Sequence, residues 1–150
     1  MNFTTFSAVL TIFRHNFKIL HWGASGKKFD RIHNLAEDYA NMVNEDLDVI
    51  AEMGMRCGQH PVSMCEAIET IEHVDEQIVC LDYKEFSFKE FVAASTVMLG
   101  TIMKCIATLR NSDEMQKDCN MGIKASLEAM YDKYDLQARY LNARRSDSDD

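Results

Sequence analysis

Five side chains between residues 21 and 52 have types and spacings that could bind a metal: His21, His33, Glu37, Asp48 and Glu52. His33 and Glu37 are four residues apart, as are Asp48 and Glu52, so on a helix each pair points at one spot. With His33 set at zero on a helical wheel, Glu37 falls near 40°, Asp48 near 60° and Glu52 near 100°. Taken singly, a helical Asp or Glu is most often solvated, and a His with an acid at i+4 is most often structural. It is the combination on one face that stands out. Imidazole with carboxylates and no thiolate suits iron(II), manganese or zinc rather than copper(I) or an iron–sulfur cluster.

Distance restricts how such a set could work. His33 and Asp48 are separated by about 22 Å along a helix rising 1.5 Å per residue, whereas metal bonds to N and O are about 2.0–2.6 Å long. One chain cannot bring both pairs to one ion. Two copies of the helix, antiparallel across a twofold axis near Met42 and Val43, could do so, because His33 and Glu37 of one chain then face Asp48 and Glu52 of the other. Such a dimer holds two equivalent sites. The Glu-x-x-His pair that a di-iron site inside a single bundle requires occurs nowhere in the chain.

The elements that must carry these residues are helices. Apolar residues at Phe3, Phe6, Leu10, Phe13, Phe17 and Leu20 predict a first helix ending near Gly23 and Gly26, with His21 at its end. A second segment, residues 29–57, carries Ile32, Leu35, Tyr39, Met42, Val43, Leu47, Ile50 and Met53 opposite the polar set, and Pro61 stops it. A mixed stretch, 62–82, holds one short helix marked by Cys65, Ile68 and Ile71. The third long segment, 87–111, has the stripe Phe88, Val92, Ser95, Leu99, Ile102, Ile106 and Leu109. The fourth, 114–142, turns Cys119, Ile123, Leu127, Met130, Tyr134 and Leu141 inward. The expected architecture is all-α: a ferritin-like four-helix bundle over residues 1–143 with a short extra helix in the long crossover, then a polar tail, 144–150.

Composition agrees with that layout. One proline and six glycines are too few for a turn-rich sheet protein, and ten methionines suit helices and adaptable cores. The net charge of −8 favours cations over polyanions as ligands. Five cysteines, an odd number with no Cys-x-x-Cys, argue against a zinc knuckle or a disulfide framework and for reduced, mostly buried thiols in a cytoplasmic protein. The N-terminal apolar stretch lacks the flanks of a signal peptide, and no run is expected to reach the ~20 apolar residues that span a bilayer.

The run His21-Trp22-Gly23-Ala24-Ser25-Gly26-Lys27-Lys28-Phe29, followed by His33, Glu37, Asp48 and Glu52, resembles the Dps family of miniferritins in every spacing, and Gly58-x-x-Pro61 matches as well. The resemblance implies that His21, His33 and Glu37 are ligands from one subunit and Asp48 and Glu52 ligands from its neighbour, with Trp22 beside them. It implies two inter-subunit iron sites (Fe2+/Fe3+) per dimer, and a homododecamer of tetrahedral symmetry that oxidises iron(II), preferring hydrogen peroxide, and stores the ferric product. Glu37 departs from the family, which usually has Asp there, leaving open a cage without fast oxidation or one that condenses DNA. No lysine-rich extension precedes the first helix, so DNA binding is expected to be weak or absent. Asp113, Glu114 and Asp118 read either as an iron-entry ring or as ordinary first-turn acids of the last helix. His15, His60 and His73 read as surface or packing residues. A small helical interaction protein without metal is the third reading.

Overall fold

The computed structural model describes residues 1–147; the last three residues of the tail lie outside the described residues. Among the described residues five α-helices follow in order: α1 (Phe3–Trp22), α2 (Phe29–Arg56), α3 (Met64–Ile71), α4 (Phe88–Arg110) and α5 (Met121–Asn142). Antiparallel hairpins α1–α2 and α4–α5 form a four-helix bundle, and the crossover between them lays α3 across α1. There is no β-strand among the described residues, only an isolated bridge between Ala24 and Phe86.

Local chemistry sets the helix starts. The Asn2 side chain accepts from the Thr5 amide at α1. Ser63 and Ser87 form reciprocal capping boxes with Glu66 and Glu90 at α3 and α4. The expected apolar stripe of α1 is wholly buried, and so is that of α4. Inside α2 the buried apolar set is Ile32, Tyr39, Val43, Ile50 and Met53, with Leu35, Met42 and Leu47 packed at its edge. Buried Asn16 of α1 pins the crossover from within, donating to the Val79 carbonyl at 2.7 Å and accepting from the Leu81 amide at 2.9 Å.

Four expectations need correction. The segment opening at residue 114 is not α-helical at first: two 3-10 turns, Glu114–Gln116 and Asp118–Asn120, precede α5. Asn120 is buried and its amide donates to the Glu114 carbonyl at 2.8 Å, which winds the chain around that side chain instead of into a helix. Cys119 is consequently exposed rather than inward. Among the cysteines only Cys105 is buried; Cys57 is half-buried and Cys65, Cys80 and Cys119 are exposed. The short helix expected in the crossover is present as α3, and its inward residues are Ala67 and Ile71. Finally, α4 is long and apolar enough to cross a membrane, against the expectation of no such run, although half of its most apolar stretch is buried within the bundle.

Candidate metal centre

The end of α1 and the start of α2 are held together by a turn that tolerates no side chain at one point. A Cβ on Gly23 would overlap the Lys84 carbonyl and lie 2.6 Å from the Phe86 ring. Phe86 donates its amide to the Gly23 carbonyl at 2.7 Å, and Ser25 donates its own to the Phe86 carbonyl at 3.1 Å. Gly26 then turns the chain at φ +87°, a conformation costly for any residue with a Cβ. Thus the segment ahead of α4 clamps the α1–α2 turn, and the turn sets His21 against His33.

These two histidines fix each other. The His21 Nδ1–H donates to the His33 carbonyl at 2.8 Å, and the His33 Nδ1–H donates to the His21 carbonyl at 3.1 Å. A carbonyl can only accept, so the proton of each neutral ring sits on Nδ1 and the lone pair on Nε2. Their rings stack with centroids 3.7 Å apart, and Phe29 stacks on His33 at 5.2 Å. His21 is buried and His33 half-buried. Two unprotonated nitrogens with locked orientations are what a borderline metal asks of imidazole, and the carbonyls play the part that outer hydrogen-bond partners play at metal-bound histidines.

Glu37 is placed differently. It is half exposed and pairs with Lys18 of α1, with Oε1 3.6 Å from Nζ. Lys18 is a residue the sequence reading missed, although it stands one helical turn before His21 and so shares its face. Asp48 and Glu52 are exposed and have no hydrogen bond or ion pair among the described residues. Asp48 opens on a depression of about 330 Å³ between α1, α2 and the start of α3, shared with Arg14 and Asn44. A larger depression of about 660 Å³, among Thr70, His73, Lys104 and Thr108, involves none of these residues. Among the described residues of the single chain, no three His, Cys, Asp or Glu side chains stand together as a metal-binding group. His21 and His33 are thus brought together, while Glu37, Asp48 and Glu52 are not gathered around them.

Trp22, the neighbour of His21 in the chain, is mostly exposed and has the His15 ring edge-on at 6.0 Å. His60 and His73 are exposed. Asp113 and Asp118 are exposed and Glu114 is half-buried; Glu114 pairs with Lys117 at 2.7 Å, and hydrogen bonds from Lys117 and Asn120 hold its carboxyl below the usual range. None of the three lies in the first turn of α5, which contains no acid.

A second carboxylate on α2 was also missed. Asp46 is 4% exposed, 2.8 Å from the Lys133 ammonium of α5, and adjacent to fully buried Tyr134, whose phenol is pushed up by burial and then by the Asp46 charge. Its wheel angle, near 220° from His33, puts it on the core side and is the signal that could have found it.

No protein-family model matches the chain, and no curated protein matches it in sequence. Solved structures do match in fold. CAIP from Helicobacter cinaedi superposes with a TM-score of 0.84 at 15% identity, covering 96% of each chain. Dps from Staphylococcus aureus gives 0.81 at 18% identity, covering 97% of this chain and 93% of that one. The Vibrio cholerae Dps protein, described as a member of a broad superfamily of ferritin-like diiron-carboxylate proteins, gives 0.80 at 15%, covering 94% and 84%. This chain has the fold of the Dps proteins, a ferritin-like four-helix bundle with a short extra helix in its long crossover.

Proposed function

We propose that this chain is a Dps-like miniferritin subunit that binds and oxidises iron(II) at sites shared between paired chains and stores the ferric product inside a hollow homo-oligomeric shell. The observation that carries this reading is the reciprocal bonding of His21 and His33, which leaves both Nε2 lone pairs available. Iron(II) is the substrate. His21, His33 and, once released from Lys18, Glu37 bind it from one chain, and Asp48 and Glu52 of the partner subunit complete the set across a twofold contact of α2. Their unpaired state in the isolated chain supports the idea that a group outside it satisfies them. Carboxylates favour iron(III) over iron(II) through their charge. Peroxide accepts two electrons, one from each of two iron(II) ions, and with two protons leaves as two waters.

Assembly into a dodecamer of tetrahedral symmetry, a cytoplasmic setting, weak or absent DNA binding, and iron entry past Asp113, Glu114 and Asp118 belong to the same reading. Size-exclusion chromatography separates a shell from single 17.2 kDa chains. Anaerobic protein loaded with iron(II) and titrated with peroxide is expected to consume roughly two iron per peroxide, the ratio of a one-electron donor to a two-electron acceptor. A protein eluting as a monomer with no iron-dependent peroxide consumption overturns the reading.

One observation favours a second reading, a cage without fast oxidation: the Lys18 ammonium sits where Glu37 would have to give up its partner to reach a cation. Glu37→Asp shortens the side chain away from Lys18. Oxidation that speeds up in this variant supports a native site slowed by the ion pair.

A further inference from the structure

Away from the α2 face, Cys57 reaches the neighbour of Cys119 where the end of α2 touches the segment ahead of α5. Cys57 caps the C-terminal end of α2 and is followed by Gly58 at φ +76°. Its thiol lies 4.0 Å from Oδ1 of Asn120, the residue after Cys119. Consecutive Cα atoms are about 3.8 Å apart, so the Cys119 side chain springs from backbone next to the group that Cys57 already touches. Neither thiol sits inside an α-helix: one is on a glycine-backed cap, the other on a single 3-10 turn. Such segments can supply the small shifts that the narrow geometry of a disulfide demands.

The pair is also electrostatically joined. Burial pushes the Cys57 thiol up, and the Glu114 carboxylate and then the Cys119 thiol add to the effect. Lys117 holds Glu114 at 2.7 Å and lies near enough to both sulfurs to feel them. Cys119 is exposed and Cys57 half-buried, which orders their roles: the outer sulfur meets an oxidant in solvent and the inner one resolves the product.

We propose that Cys57 and Cys119 are a dithiol pair that hydrogen peroxide closes to a disulfide, tying the end of α2 to the segment between α4 and α5. The Cys119 sulfur attacks a peroxide oxygen; the S–O bond forms as the O–O bond breaks, and one water leaves. The Cys57 sulfur then attacks the Cys119 sulfur; the S–S bond forms as the S–O bond breaks, and a second water leaves. Two thiols lose two hydrogens and one peroxide becomes two waters. This inference is independent of the iron site.

The test is to treat the assembled protein with a small excess of peroxide in the presence of a chelator, alkylate the remaining thiols, digest without reductant and map the peptides by mass spectrometry. The expected result is a linked Cys57–Cys119 peptide pair, two hydrogens lighter than the dithiol, with alkylation lost at both positions one for one. In Cys119→Ser, Cys57 is expected to stay alkylatable. Cys57 remaining fully alkylated in the native chain, Cys119 joined instead to Cys65, Cys80 or a second copy, or Cys57 oxidised equally without Cys119, would each overturn it.

Discussion

Asp46 and Asp48 stand two residues apart on α2 and meet opposite surroundings. Asp46 is turned into the bundle, paired with Lys133 at 2.8 Å and set against Tyr134. Asp48 is turned out with Glu52, and neither has a partner among the described residues. The inner carboxylate has already spent its charge on α5, so its role is structural. The outer pair keeps its charge uncompensated within the chain, as the proposed shared site requires. Burial, rather than residue type, divides the two faces of one helix into architecture and chemistry.

The sharpest way to break this division is to remove one group from the outer face. His33→Ala or Asp48→Ala is expected to slow peroxide-dependent iron(II) oxidation by about 100-fold or more, as loss of a direct ligand should. For Asp48→Ala the melting temperature is expected to stay within a degree or so, since an exposed residue without partners contributes little to stability, whereas His33→Ala also loses the Nδ1 bond and the stacking on His21 and Phe29 and is expected to melt several degrees lower while still folding. Stopped-flow absorbance and calorimetry on the same preparations check both halves of the statement. A large fall in melting temperature in Asp48→Ala would place that residue on the structural side.

The inner face should behave in the reverse manner. Lys133→Met strands a buried carboxylate and is expected to cost about 2 kcal/mol in denaturant unfolding. Asp46→Asn leaves only a partly exposed ammonium behind and is expected to cost about 1 kcal/mol. Neither is expected to change iron oxidation per assembled site by more than about twofold, less than 1 kcal/mol in barrier terms. Equal costs for the two substitutions would show that Asp46 is not effectively desolvated.

How much of this was legible in the sequence follows the same line. The periodicity of Phe3 to Leu20 and of Phe88 to Leu109 specified two buried faces, because a helix with one apolar stripe has one way to bury it. The wheel separated His33, Glu37, Asp48 and Glu52 from the core of α2, and the same arithmetic puts Asp46 among its apolar residues. Periodicity could not foresee the 3-10 turns before α5, which depend on buried Asn120 reaching the Glu114 carbonyl. Nor could spacing reveal the exchange of Nδ1 hydrogen bonds between His21 and His33. That contact depends on the turn being clamped at Gly23 by Phe86, more than sixty residues away in the chain.

Lys18 offers a finer adjustment of the outer face. Its ion pair with Glu37 is half exposed at 3.6 Å, so it is worth little, up to about 1 kcal/mol. Lys18→Met is expected to tighten anaerobic iron(II) binding by about threefold, in keeping with release of a pair of that strength. Unchanged affinity would mean that Glu37 takes no part in binding.

The smallest expected effect belongs to a group on neither face of α2. Burial pushes the Cys105 thiol up from 9.0 to about 11, the Lys104 charge opposing it only in part. Because the folded state holds that proton more tightly than the unfolded chain, its contribution is fully present below pH 9 and is lost as pH rises toward about 11. Cys105→Ala is expected to flatten that limb of the stability profile slightly. At neutral pH, Cys105 is expected to be the slowest of the five cysteines to react with an alkylating reagent.

The claim that two chains build each site is open to a mixing experiment. His33→Ala and Asp48→Ala chains are each inactive alone, but a mixed dimer puts the intact His33 of one chain opposite the intact Asp48 of the other at one of its two sites. Equimolar chains, unfolded together and reassembled, are expected to recover about a quarter of the wild-type oxidation, since half the dimers are mixed and each holds one intact site. Recovery indistinguishable from zero, in assemblies proven to contain both chains, would contradict a site shared across the twofold contact.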